Sequence, residues 1–338
     1  MKKPLIAIVN SSTFGKHFSD HIETLKSFAD LKRVDVPITV SNEELISQLQ
    51  GVNGIIASVT PKFPRPVLEA LTDLVLLVRH GIGCDNVDLE AATELGILVS
   101  RVQGIVERNA VSEHAISLLM SAARYIPNGC QSVRNSAWSD RGHYIGLELG
   151  SKTIGIIGLG NIGSKSSEIL SRGFNARVLA CDPYITDQRF KEFGAIKSDL
   201  EPLLRESDAV LFHCPLTPET ERMIGKSRFS MMKRGAILVN TCRGELIDED
   251  ALVEALKSKQ LGYYATDVVE KEPIDGNHRL AKLDNVIITP HLGGYTWESL
   301  RGMGQTGVDD SVNVFQKKLL PGQLANEQVL DREYRRWS

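Results

Sequence analysis

Thr153-Ile154-Gly155-Ile156-Ile157-Gly158-Leu159-Gly160-Asn161-Ile162-Gly163 is an apolar, β-branched run that enters a G-x-G-x-x-G turn, and a helix-like segment follows it through Leu170. Asp182 stands 182 − 163 = 19 residues past the last glycine. A glycine turn alone says little, but strand, turn, helix and distant acid together are the pattern of a dinucleotide site. Gly158 permits the tight turn, Gly160 lets backbone approach a pyrophosphate, and Gly163 lets the helix pack close to the strand. The helix start at Asn161 and Ile162 offers unpaired N–H groups and the positive dipole end to phosphate. Asp182 is expected to accept hydrogen bonds from the adenosine ribose. Its carboxylate would repel a 2′-phosphate, and Pro183-Tyr184 supplies no arginine to offset this, so NAD is favoured over NADP.

Working outward, the same alternation of strand and helix continues. Downstream strands are predicted at Arg177–Cys181, Ala209–His213, Ala236–Asn240, Tyr264–Val268 and Val286–Thr289, with a helix over Glu249–Lys257 capped by Asp248. Upstream, strands are predicted at Leu5–Val9, Gly54–Ser58, Leu74–Arg79 and Ile97–Ser100, and helices near Ser19–Phe28, Asn42–Leu49, Pro66–Leu71 and Leu89–Leu95. Such alternation predicts parallel sheets with crossover helices. Asn109–Tyr125 reads as a long helix, 127–150 as an extended arm, and Thr296–Lys318 as a terminal helix that returns to the first block.

Chemistry-bearing residues cluster at predicted strand ends, where open α/β sheets bind ligands. His213-Cys214-Pro215 follows one strand and faces the cofactor or packs against the strand end. Thr241-Cys242-Arg243 follows the next, Glu272 stands shortly after Asp267-Val268, and His291 follows Thr289-Pro290. A guanidinium holds a carboxylate bidentately and stays charged. An imidazole beside a carboxylate suits a general acid. An anion clamp, a carboxylate and a proton donor are what hydride transfer to a 2-oxo acid requires.

The sequence resembles the NAD-dependent D-2-hydroxyacid dehydrogenases, which include phosphoglycerate dehydrogenases and hydroxypyruvate reductases. The matching pieces are His80-Gly81-Ile82-Gly83-Cys84-Asp85-Asn86-Val87-Asp88, the 158–163 turn, Cys214-Pro215-Leu216-Thr217, Asn240-Thr241-Cys242-Arg243-Gly244, Glu272-Pro273 and Thr289-Pro290-His291-Leu292-Gly293-Gly294, in the family's order. The resemblance implies that Arg243 grips the substrate carboxylate, His291 moves the proton and Glu272 supports His291. It further implies backbone amides of Ile82 and Gly83 on the carboxylate, Asp267 near the nicotinamide amide, and Thr241, Cys242 and Gly293 along the cofactor. It implies two Rossmann-like domains: a discontinuous flavodoxin-like substrate domain (1–104 and 297–338) and an inserted NAD-binding doubly wound parallel sheet (105–296). An active-site cleft that closes against water and a homodimer through the NAD domain follow from the same likeness. The 109–125 helix and the arm are assigned to the dimer contact, with Trp138 either an anchor there or packed within its own chain.

Within this class D-3-phosphoglycerate dehydrogenase is the runner-up. Relatives of that type place an arginine after the third strand, where Ala57-Ser58 stands here; Lys62 and Arg65 are nearby substitutes. The chain also reads as ending without an added regulatory domain. A different class, an NAD(H)-sensing corepressor-like binding protein, would carry a tryptophan three residues after the catalytic histidine; this chain has Gly294 there, with Trp297 beyond.

Composition bounds the rest. With 338 residues, 42% hydrophobic and 24% charged, the chain has the makeup of a soluble globular protein of two domains. A net charge of −3 points to neither nucleic acid nor an anionic membrane. No apolar run approaches the roughly 20 residues that span a bilayer, and the Leu5–Val9 run is too short for a secretory leader. Five scattered cysteines without C-x-x-C predict neither disulfides nor a structural metal, and fit a reducing cytoplasm. His17 and His21, spaced i, i+4, are read as surface histidines.

Overall fold

The computed structural model describes residues 3–332 and 336–337. Two units divide the chain: Met1–Val106 with Thr296–Ser338, and Glu107–Tyr295. Both are Rossmann-like α/β units built on a parallel sheet.

The first unit contains β1 (Leu5–Val9), β2 (Asp30–Val34), β3 (Gly54–Ala57), β4 (Leu76–Arg79) and β5 (Leu98–Arg101). All pair in parallel in the order β2-β1-β3-β4-β5, which is the flavodoxin-like order. Successive side chains serve opposite faces: Ala7, Val9, Ile55 and Leu77 enter one core, Ile6, Ile8, Ile56 and Leu76 the other. Both faces are covered, so the inner strands β1 and β3 are apolar throughout and show no polar alternation. Strand β2 was not predicted. Asp30-Leu31-Lys32-Arg33-Val34 is charged because it is an edge strand with one neighbour, half in solvent.

His21 is a correction to the sequence reading. It is buried, not at the surface, and burial lowers its pKa. Its ring stacks on Phe14, and the terminal helix Trp297–Val312 reaches it at Gly304, where a Cβ would lie 2.4 Å from Nδ1.

The second unit contains β6 (Thr153–Ile157), β7 (Arg177–Cys181), β8 (Ala195–Lys197), β9 (Ala209–Phe212), β10 (Ala236–Asn240), β11 (Leu261–Thr266) and β12 (Val286–Ile288). Their order is β12-β11-β10-β9-β6-β7-β8, all parallel. The chain winds one way from β6 to β8, then returns to the other side of β6 with β9, so the topological switch falls between β6 and β9. One sheet face packs on the helix Arg108–Ala123 through Ala115, Leu118, Leu119 and Ala122; the other packs on Leu203, Leu252 and Leu256.

Two sequence expectations shift here. Strand β11 ends at Thr266 and β12 at Ile288, so Asp267, Val268 and Thr289 lie beyond the sheet, in the loops that follow those strands. The 127–150 arm is not extended throughout: Ile126–Arg134 is an α-helix and Trp138–His143 a 3-10 turn. Pro127 sits in the helix's first turn, where proline is tolerated. None of its residues is buried: its apolar positions, Ile126, Cys130 and Val133, share one face but lie exposed, and the helix is only nine residues long. Among the described residues no helix is long and apolar enough to cross a membrane.

Candidate active site

Because the strands of the second unit are parallel, all their carboxyl ends lie on one edge of the sheet. The glycine turn follows β6, Asp182 follows β7, His213 and Cys214 follow β9, Thr241 to Arg243 follow β10, Asp267 and Glu272 follow β11, and His291 follows β12. Neighbouring strands are about 4.8 Å apart, so Arg243 and His291 leave strands separated by β11 alone.

The glycine turn is tightly built. Gly158 has a left-handed φ of 90°, and a Cβ on it would meet the His213 carbonyl oxygen at 2.6 Å. This is the contact of β6 with β9 across the switch. A Cβ on Gly163 would lie 2.0 Å from the Gly158 carbonyl oxygen, whereas one on Gly160 meets nothing within 4 Å. Gly160 caps the helix Asn161–Glu168, whose opening N–H groups, those of Asn161 and Ile162 included, have no partner one turn earlier. Asp182 closes the turn from β7: Oδ2 accepts from the Leu159 N–H at 2.8 Å and Oδ1 from the Tyr184 N–H at 2.9 Å.

The two kinds of glycine should separate experimentally. Gly163→Ala must displace backbone and is expected to cost about 1–3 kcal/mol, seen as a lowered Tm. Gly160→Ala has room and an ordinary φ of −69°, so Tm should hold while NADH binding weakens by about tenfold or more as the methyl blocks the phosphates. Fluorimetric melting and NADH titration read both. Unaltered NADH affinity in Gly160→Ala would place the phosphates elsewhere.

Along the same edge several polar atoms are buried without partners among the described residues: both ring nitrogens of His213 and the Thr241 hydroxyl. Burial lowers the His213 pKa to about 3, so the ring is neutral. Burial also raises the thiols of Cys181, Cys214 (to about 11) and Cys242, and Cys242 Sγ donates to the Phe212 carbonyl at 3.0 Å. Neutral thiols are poor nucleophiles; these cysteines serve as small apolar lining. An open glycine turn, a carboxylate fixed to it and buried polar atoms without partners among the described residues are what a dinucleotide would complete.

Arg243 sits on a turn that closes without its side chain. Asn240 Nδ2 donates to the Arg243 carbonyl at 2.8 Å and Asn240 Oδ1 accepts from the Cys242 N–H at 2.9 Å. The guanidinium Nη1 donates to the Cys242 carbonyl at 2.6 Å. The next residue, Gly244, is pressed against the following loop: a Cβ there would lie 2.1 Å from the Val269 carbonyl carbon and 2.2 Å from the Glu270 nitrogen. That second loop holds Glu272, whose Oε1 accepts from the Val269 N–H at 3.2 Å. Its Oε2 lies 2.8 Å from Nδ1 of His291. An ionised carboxylate only accepts, so Nδ1 carries the hydrogen and Nε2 is left for other work.

His291 adopts a left-handed φ of 56°, uncommon for a residue with a Cβ. Its N–H donates to the Asp267 carbonyl at 3.1 Å. The Asp267 side chain is buried, and its carboxylate accepts from the Leu292 and Gly293 N–H groups at 2.8 and 2.7 Å and from the Thr289 hydroxyl at 2.5 Å. His114 Nε2 approaches it at 3.2 Å. Burial would raise the Asp267 pKa; the donors from His114, Thr289, Leu292 and Gly293 outweigh it and hold the group below the ordinary carboxylate value. The sequence reading passed over His114, because a histidine inside a helical run carries no local sign of a partner 175 residues away in Thr289. Pro215 is exposed at the rim after β9. Ile82 and Gly83 belong to the first unit, half-buried just beyond β4 at the carboxyl edge of that sheet. Among the described residues no group of three His, Cys, Asp or Glu side chains is arranged to hold a metal ion.

The family model described as "D-isomer specific 2-hydroxyacid dehydrogenase, NAD binding domain" matches residues 116–293. The chain belongs to the D-isomer specific 2-hydroxyacid dehydrogenase family. Among its relatives, a D-3-phosphoglycerate dehydrogenase of Archaeoglobus fulgidus is 39% identical over 83% of the chain, and the match spans 53% of that longer protein. The chain thus spans about half the length of the phosphoglycerate dehydrogenases it matches. A glyoxylate reductase of Pyrococcus furiosus is 35% identical over 86% of the chain and 87% of its own length. The crystal structure of a D-lactate dehydrogenase from Aquifex aeolicus, complexed with NAD and lactic acid, has a TM-score of 0.83 and 28% identity over 95% of this chain and 99% of that one. The matched domain is the family's NAD-binding one, so the cofactor of the second unit is NAD.

Proposed function

We propose that the chain interconverts a 2-oxo acid and a D-2-hydroxy acid, with Arg243 binding the carboxylate and His291, paired with Glu272, as general acid and base. The observation that carries this reading is the Glu272–His291 pair, 2.8 Å apart on the same sheet edge as Arg243 and the glycine turn. The nicotinamide cofactor, when bound beside the glycine turn, would supply the hydride for the substrate's carbonyl carbon in reduction and accept it in oxidation. Glu272 holds Nδ1–H, fixes the ring's orientation and stabilises the imidazolium, as a carboxylate does for a catalytic histidine in general. Nε2–H then gives its proton to the oxygen that becomes the hydroxyl; in oxidation the neutral Nε2 takes that proton. The Arg243 fork suits a planar carboxylate and keeps its charge at any working pH.

A small, unphosphorylated 2-oxo acid of the glyoxylate or hydroxypyruvate kind is the substrate this reading favours. Ala57-Ser58 stands where a phosphate-binding arginine is expected, and Arg65 is already engaged with Glu94 at 2.6 Å. The second reading, 3-phosphoglycerate oxidation, draws on the higher identity to phosphoglycerate dehydrogenases. NADH oxidation with glyoxylate, hydroxypyruvate, pyruvate and 3-phosphohydroxypyruvate decides: kcat/KM at least about tenfold higher for an unphosphorylated acid is expected, since losing one good anion contact is worth roughly that much. A preference for the phosphorylated acid reverses the order of the two readings, and no turnover with any acid favours the corepressor-like binding protein.

A homodimer belongs to the same proposal. The arm exposes Trp138 at 69% and Ile145 at 81%, which speaks against Trp138 packing within its own chain and for a self-complementary contact covering this face. The five cysteines are free, which suits a reducing cytoplasm.

A further inference from the structure

Behind the loop that carries His291 lies a cluster that the chemistry above does not use. Three consecutive amides, those of His291, Leu292 and Gly293, all donate to Asp267: the first to its carbonyl at 3.1 Å, the others to its carboxylate at 2.8 and 2.7 Å. Such convergence is what keeps a left-handed φ of 56° at His291, since a backbone conformation of this kind persists where its surroundings over-determine it. The carboxylate must itself be aimed. The Thr289 hydroxyl donates to Oδ1 at 2.5 Å; Thr289 belongs to the same loop and is tied to β11 by its N–H, which donates to the Thr266 carbonyl at 2.9 Å. His114 comes from elsewhere, the first half of the helix Arg108–Ala123. Its Nε2 lies 2.9 Å from Thr289 Oγ1 and 3.2 Å from Asp267 Oδ1. The Thr289 hydrogen is spent on the carboxylate, and the carboxylate has none, so Nε2 must be the donor to both.

We infer that His114 is a positioning residue: it ties the Asp267 carboxylate and the Thr289 hydroxyl to a rigid helix and thereby sets where the His291 imidazole stands. This rests on the reading of His291 as the proton donor. The helix does not need His114 to stay in place, because Ala115, Leu118, Leu119 and Ala122 bury it against the sheet. The role is therefore separable from folding.

The test compares His114→Ala with His114→Gln in the full chain. A glutamine can place its amide Nε2–H close to where the imidazole Nε2–H stood. In His114→Ala, kcat should fall by about ten- to a hundredfold, the scale of a small misplacement of a reacting group, while NADH affinity and Tm stay near wild type. Amide hydrogen exchange of the unliganded protein should speed up by about tenfold over 289–295, as local opening becomes easier, with other segments unchanged. His114→Gln should return both readouts to within about threefold of wild type, because the donor is restored. Unchanged loop exchange in His114→Ala overturns the inference whatever the turnover, and so does faster exchange throughout the second unit, which marks a merely structural histidine. A wild-type protein that turns over no 2-oxo acid instead removes the reading of His291, and the exchange data show separately whether the anchor exists.

Discussion

Replacing His291 with asparagine is expected to lower kcat by about 10²–10⁴-fold, the usual contribution of a positioned general acid, while NADH binds as before. Asparagine is the better substitution at this position because it tolerates the left-handed backbone that His291 adopts, with φ of 56°. Alanine would add strain there and confuse lost chemistry with lost loop geometry. The amides of residues 291 to 293 still find Asp267 in the variant, so the loop keeps its bonds. What is lost is the Nε2 proton that the Glu272 contact at 2.8 Å leaves available. NADH fluorescence titration and steady-state turnover separate the two effects. A variant with more than about a tenth of wild-type kcat would show that water or another group supplies the proton, as the 10²-fold lower bound for general acid catalysis is then not met.

Removing the Arg243 guanidinium should hurt in a different parameter. Arg243→Gln is expected to lower kcat/KM by about 10²–10³-fold, since losing one partner of a desolvated charge pair costs about 2–5 kcal/mol. Both constants should move, because the carboxylate is bound before and during hydride transfer. Arg243→Lys keeps the charge but not the fork, and should recover a part of the loss. Folding is safeguarded by Asn240, which closes the 240–243 turn through backbone atoms at 2.8 and 2.9 Å. The guanidinium's bond to the Cys242 carbonyl at 2.6 Å is not needed to hold that turn. Retained kcat/KM, within about fivefold, would mean that the carboxylate is bound elsewhere and that the wild-type clamp contributes less than about 1 kcal/mol.

Much of the second unit was legible because its signals are local. A β-branched run, three glycines and a following helix occupy one short stretch, and each glycine has a separate steric duty that the structure shows as a Cβ contact or its absence. The carboxyl-edge placement of Arg243, Glu272 and His291 was also legible, because parallel strands joined by crossovers put every strand end on one side. Strand β2 was not, since an edge strand of Asp30-Leu31-Lys32-Arg33-Val34 has no apolar period to find. The Ile126–Arg134 helix was missed for a different reason: it is nine residues long, opens with Ile126-Pro127-Asn128-Gly129, and its few apolar residues are not buried. His21 was misjudged because helical spacing gives a face but not what covers it, and here Phe14 and Gly304 do.

By itself, the amino-acid order determined the two alternating α/β blocks, the glycine turn after β6, and the placing of Arg243, Glu272 and His291 at strand ends. These follow from short-range sterics, side-chain period and chain direction. Only the tertiary structure decided which groups touch. Glu272 reaches His291 across 19 residues, and His114 reaches Thr289 across 175. Hydrogen bonds of that separation depend on how sheet order and helix packing bring distant loops together, and no local pattern in the chain encodes them.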